Sequence, residues 1–169
     1  PARAGVDEHH VAADGPQPMP PPGTSITNMP AYWRTSVFVE GLEGETCRDM
    51  SHATMGLDAL ISGAETARIH GVDLYGEQQA RLVAGYEFNA RWFAEFLTNG
   101  SVPPWLCNGS LATGGVNYKL AWEAGHTALA HRRGVAMPYT WAFIQSVTRP
   151  SNYKADLFMA WQTLTHAEQ

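Results

Sequence analysis

The sequence predicts an all-α protein built of antiparallel helical pairs. Several stretches repeat their apolar residues at helical spacing, Gly or Pro marks their ends, and sustained alternation of the kind a half-buried strand shows is scarce. The 169 residues are 44% hydrophobic and 11% aromatic, which is ample for the core of one domain.

The first helix carries the clearest signal. Thr46 followed by Asp49 is a near capping box, so the spacing predicts a start at Cys47. Leu57, Leu60, Ile61, Ala64 and Ala67 then recur at helical spacing, and Gly71 after His70 supplies a left-handed stop. Gly56, Ala59 and Gly63 thin one side, which would admit a neighbouring helix. Arg48 and His52 stand four apart and would share a face near the helix start. A cation beside an imidazole there resembles part of a site. The same residues also fit an Arg48 paired with Glu45 or Asp49 and a structural histidine.

Residues 1–45 read mostly as loop. Asp14 to Gly23 is too proline-rich for a helix or a central strand, and the adjacent His9 and His10 lack the partners a metal site needs. Tyr32, Trp33 and Arg34 could stack on a sugar or simply join the core, and Thr35 to Val39, short and of β-branched and aromatic character, fits a strand-like segment or an extended connection equally. Residues 46–149 hold the helical hairpins. A second helix is predicted from about Gly76 to Leu97, with Leu82, Tyr86, Phe93 and Leu97 on one side, ending at Gly100. The loop Ser101 to Val116 is long enough to suggest function, and its Asn108-Gly109-Ser110 fits an N-glycosylation acceptor. A third helix runs from about Tyr118 to Arg133 before Gly134, with Arg132 and Arg133 at its negative end, and Pro138 opens a fourth reaching about Thr148. Residues 150–169 read as an irregular tail.

Charged residues make up 16% of the chain, and the net charge of −5 is spread without runs, so nucleic acid is not an expected partner. No apolar run approaches a membrane span, no signal peptide opens the chain, and the sequence starts as though cut from something longer. Cys47 and Cys107 fit free thiols or one disulfide, and neither lies in a metal-ligand pattern.

Glu45-Thr46-Cys47-Arg48-Asp49, then His52, then Ala64-Glu65-Thr66-Ala67 leading to Gly71-Val72-Asp73-Leu74-Tyr75, resemble the alginate lyase superfamily of polysaccharide lyases. The likeness extends over DGPQPMPPPG, PPWLC, the Gly134 to Pro138 turn, and RP followed by WQTLTH. The resemblance implies the C-terminal half of an incomplete α/α toroid. The upstream half, with an Asn that helps neutralise the substrate carboxylate, would come from the same toroid or from a partner chain. It implies secretion or a periplasmic location and a Cys47–Cys107 disulfide, with an anionic polysaccharide as substrate and no cofactor or metal.

The implied chemistry is β-elimination at a uronic acid. A base removes the proton beside a neutralised carboxylate, and an acid protonates the departing glycosidic oxygen. On this resemblance the catalytic candidates are His52, Arg48, His126 and Tyr118, and the substrate-binding candidates are Trp105 and Arg34. One departure stands out. Aligning Glu123 and the Arg132 to Pro138 turn with the family pattern puts His126 and Leu129 where two family tyrosines fall. Imidazole at His126 could take over proton transfer. The alternative is a catalytically altered, lyase-like glycan-binding or scaffold protein.

Overall fold

The computed structural model describes residues 33–35, 37–150, 163 and 166. The proline-rich Asp14 to Gly23 segment, His9 and His10 lie outside them. Of the tail, Thr163 and His166 are described, and both are helical where the sequence predicts an irregular chain.

The chain is all-α, with no strand among the described residues. Helix α1 spans Met50–Ile69, a single turn α2 covers Leu74–Glu77, and α3 spans Gln79–Asn99. Helix α4 is Trp122–His126 and widens into a π-helical turn over Thr127–His131. Helix α5 is Pro138–Phe143 and widens likewise over Ile144–Thr148. None of these helices is long and apolar enough to cross a membrane.

Side-chain pairings fix the directions. Phe93 meets Trp122 while Arg133 reaches back to Gln79, so α3 and α4 are antiparallel. Glu87 takes the amides of Tyr139 and Thr140 while Phe93 meets Phe143, so α3 and α5 run the same way. Helix α1 is turned back onto α3 through α2. The result is a set of antiparallel pairs around a central α3.

The core beside α3 is aromatic. The Trp122 ring lies edge-on to Tyr86 at 5.6 Å, to Phe93 at 6.0 Å and to Phe143 at 4.8 Å, the arrangement that ring quadrupoles favour. Gly125 makes it possible: a Cβ there would stand 2.2 Å from Tyr86 Cζ, so only glycine lets α4 seat against the ring. The opening of α5 shows how its orphan amides are satisfied without a local cap. Pro138 starts the helix, and the Glu87 carboxylate accepts from the amides of Tyr139 (3.1 Å) and Thr140 (2.8 Å) and from the Thr140 hydroxyl (2.7 Å).

Helix stops fall at the predicted glycines. Gly71, Gly100 and Gly134 all have positive φ, and the Val72 amide donates to the Ala67 carbonyl to close α1. Helix starts differ. Leu120 is extended and Ala121 left-handed, and the Trp122 indole N–H donates to the Tyr118 carbonyl, which moves the start of α4 from Tyr118 to Trp122. Among the described residues, the small residues of α1 meet no neighbouring helix. Gly56 faces the Glu43 carboxyl, Ala59 is exposed, and Gly63 has nothing within 4 Å among the described residues. Leu97 lies on the rim of its apolar side and stays 37% exposed.

Candidate active site

The N-terminus of α1 is built by tertiary contacts rather than by the capping box. Thr46 is fully buried, its hydroxyl accepts from the Glu43 amide at 3.2 Å, and Cys47 lies in the turn before the helix. The helix starts at Met50, with Asp49 as N-cap. Its first orphan amides go to a neighbouring loop: Met50 donates to Ala112 O at 2.7 Å and Ser51 to Thr113 O at 3.2 Å. The Ser51 hydroxyl also donates to Thr113 O, at 2.9 Å. Cys47 and Cys107 form a disulfide, with Cα atoms 5.1 Å apart, that ties this same loop to the helix entrance. The long loop and the first helix therefore make one unit.

Within that unit, Asp49 has two tasks. One carboxylate oxygen accepts from the His52 amide at 2.9 Å, which caps the helix, and the other meets His52 Nδ1 at 2.6 Å. The cap that begins α1 thus also orients its imidazole. The Asp49 side chain is 13% exposed and the His52 ring 30%, so the carboxylate is sheltered while the ring keeps access to solvent. A carboxylate on Nδ1 selects the tautomer with the proton there and leaves Nε2 with a lone pair. Gly114 closes the arrangement: its φ is +65°, and a Cβ there would stand 2.2 Å from Asp49 Oδ1. Asp49 and Gly114 are the positioning residues that sequence reasoning missed. Spacing did offer a signal, since an acid three residues before a histidine at a helix start can cap and orient at once.

Arg48 does not share a helical face with His52, because the helix begins after it. Its guanidinium pairs with Glu45 at 3.1 Å and is 52% exposed, the simpler of the two arrangements the sequence allowed. Arg34 has φ of 54° and donates weakly to Cys47 O at 3.4 Å, beside the disulfide. Trp33 is buried edge-on to Phe38, as a core residue. The Trp105 ring is half-buried against Trp92 at 5.7 Å, and its carbonyl accepts from the Thr35 hydroxyl. Tyr118 stands on the Asn117–Lys119 turn, which packs along α1, and its ring is partly buried on the core.

His126 is 6% exposed and stacks on Trp141 of α5, with ring centroids 5.1 Å apart and planes inclined by 21°. His131 lies edge-on to it at 5.4 Å. The side-chain hydrogen bond of His52 runs to Asp49, so among the described residues the structure brings His52 together with Asp49 and does not join it to Arg48 or His126. The reason is the side of α4 on which His126 falls: it turns to α5, where an aromatic ring receives it. Leu129, at the other expected tyrosine position, is fully buried.

Compared with protein-family models, with curated proteins and with solved structures, the chain finds no match in any of the three.

Proposed function

We propose that this chain is the C-terminal half of an α/α toroid polysaccharide lyase, exported from the cell, that cleaves a uronate-containing glycan by β-elimination. The observation that carries the reading is the Asp49–His52 pair, a sheltered carboxylate on Nδ1 of a partly open imidazole. It lies within the run of residues that resembles alginate lyases. In the neutral tautomer selected by Asp49, Nε2 accepts rather than donates, so His52 acts as the base that takes the proton beside the carboxylate. Neutralising the carboxylate then falls to a cation, and Arg48, exposed and bound through one nitrogen to Glu45, supplies it. Tyr118, on the turn against α1, is the phenol for the departing oxygen. Trp105 and Arg34 extend the glycan-binding surface beside the disulfide. The upstream half of the toroid, with its neutralising Asn, completes the cleft.

The test is the ultraviolet absorbance of the unsaturated uronate product, followed with alginate, glucuronan and hyaluronan on the full-length protein. His52→Ala should lower turnover by about 10²- to 10⁴-fold, the usual worth of a positioned acid or base, while the melting temperature stays within a degree or two. Wild-type turnover that survives in His52→Ala would overturn the assignment.

A second reading is favoured by His126 and Leu129. The positions where the family carries tyrosines hold a histidine stacked on Trp141 and a fully buried leucine. A glycan-binding or scaffold protein without turnover fits that packing. Saturable binding of a uronate polymer with no absorbance change would select it.

A further inference from the structure

A pocket of about 240 Å³ opens at the other end of α1, lined by Arg68, Arg132, Arg133, Tyr75 and the turn at residues 71–73. Three guanidiniums border it, and each is held in place. Arg132 forks onto Glu65, with Nη2 at 2.5 Å and Nη1 at 3.3 Å, and Arg68 Nε meets the same carboxylate at 2.6 Å. Arg133 is fixed by Gln79 at 2.8 Å and by both oxygens of Asp73, at 3.1 and 3.2 Å. Gly76 leaves room for it, since a Cβ there would stand 2.9 Å from Arg133 Nη2. Three cations thus face two carboxylates, in a chain whose net charge is −5. Among the described residues, Arg68 bonds Glu65 through Nε and not through its terminal nitrogens.

Tyr75 supplies an independent observation. The residue is 3% exposed, and its hydroxyl is buried without a hydrogen-bond partner. Burial first, and then the Glu65 charge, push its pKa well above the ordinary range, so at neutral pH it is a donor. The Arg132 guanidinium lies over its ring at 5.4 Å and opposes that rise, but no hydrogen bond of good geometry meets the hydroxyl. A phenol oxygen can accept from a guanidinium, so Arg132 can serve its lone pair, but the hydroxyl proton still needs an acceptor. Hydroxyl and guanidinium are both completed by the same thing, an acceptor that carries negative charge.

We propose that this pocket binds a small oxyanion, a phosphate, sulfate or carboxylate group, held by the Arg68, Arg132 and Arg133 guanidiniums with the Tyr75 hydroxyl donating to it. The site stands apart from the Asp49–His52 pair: Arg68 follows His52 by about 24 Å of helix. It does not depend on the lyase reading.

The experiment is calorimetric titration of the full-length protein with inorganic phosphate, sulfate and glucuronate at constant ionic strength. Saturable binding to one site is expected. Tighter phosphate or sulfate marks a phosphoryl or sulfated ligand, and tighter glucuronate marks the carboxylate of a sugar. Arg68→Gln should weaken binding by about tenfold and Tyr75→Phe by about fivefold, since the first removes a cation and a donor and the second a neutral donor to the anion. Arg91→Gln, at a surface arginine stacked on Trp92, should change nothing. The proposal is overturned if none of the three anions saturates, if both pocket variants bind as wild type does, or if Arg91→Gln weakens binding as much as Arg68→Gln.

Discussion

The two ends of α1 are held by different physics. At the N-terminus a disulfide, two backbone amides given to loop carbonyls and a carboxylate cap hold the chain, and the His52 ring is oriented by the group that starts the helix. At the C-terminus the backbone closes itself through Gly71, and Glu65 holds Arg68 of its own helix and Arg132 of the α4 end by ion pairs. Covalent and backbone constraints define positions closely and are indifferent to salt. Ion pairs between half-exposed groups leave a field that a ligand can use and contribute less to stability. The proposed proton-transfer group would draw on the first kind of support, and the proposed anion pocket on the second.

This contrast breaks most severely at the disulfide. Cys47 and Cys107 are 60 residues apart, and releasing a loop of that length costs about 4 kcal/mol on the chain-entropy estimate. Chemical denaturation with and without reductant should show a loss of that order. His52 should meanwhile lose its fixed ring orientation, seen as sharpened, averaged imidazole resonances, while the Glu65 end keeps its chemical shifts. If both ends respond alike, the two regions are one cooperative unit and the contrast is wrong.

A narrower break is Gly114→Ala. The new Cβ would meet Asp49 Oδ1 at 2.2 Å on a backbone with φ of +65°, and about 1–3 kcal/mol of stability should be lost to overpacking and strain. The same change pushes the Asp49 carboxylate off His52. In the proposed lyase, turnover should therefore fall by more than the melting temperature suggests. A variant that loses stability while keeping wild-type turnover per folded molecule would show that Asp49 does not position His52.

Much of this architecture was legible in the sequence. The helical periodicities predicted the helices, and Gly71, Gly100, Gly134 and Pro138 marked their ends, because left-handed stops and proline starts are local backbone properties. The helix starts were not legible, for the opposite reason. Met50 and Ser51 spend their amides on a loop more than sixty residues away, and Glu87 caps a helix fifty residues further on. The geometry around His52 was half legible. His52 was found by its place at a helix start, but its partner was expected to be Arg48, since the i, i+4 rule applies only inside a helix and the helix begins two residues after Arg48. Arg132 and Arg133 were expected to serve their own helix end. They reach instead to Glu65 and Asp73 of the first hairpin, a tertiary choice no local rule contains.

The mildest test sharpens the other end. Burial works against the charge of Glu65, but the hydrogen bonds and charges of Arg132 and Arg68 outweigh it and hold the carboxyl below its ordinary value. A carboxyl that titrates lower when folded than when unfolded stabilises the fold above its unfolded pKa, and that contribution fades as pH falls through the folded one. Glu65→Gln keeps the shape and removes the charge. Because Arg68 and Arg132 are 52% and 34% exposed, solvent screening should limit the loss at neutral pH to about 1 kcal/mol. The gap between wild type and variant should shrink once the pH drops below the usual carboxylate range, and again in molar salt. The Cys47–Cys107 contribution should be unmoved by either change. A gap that stays constant from neutral to acid pH would mean that Glu65 acts through packing and not through its charge, and the two ends of α1 would then differ less than their contacts imply.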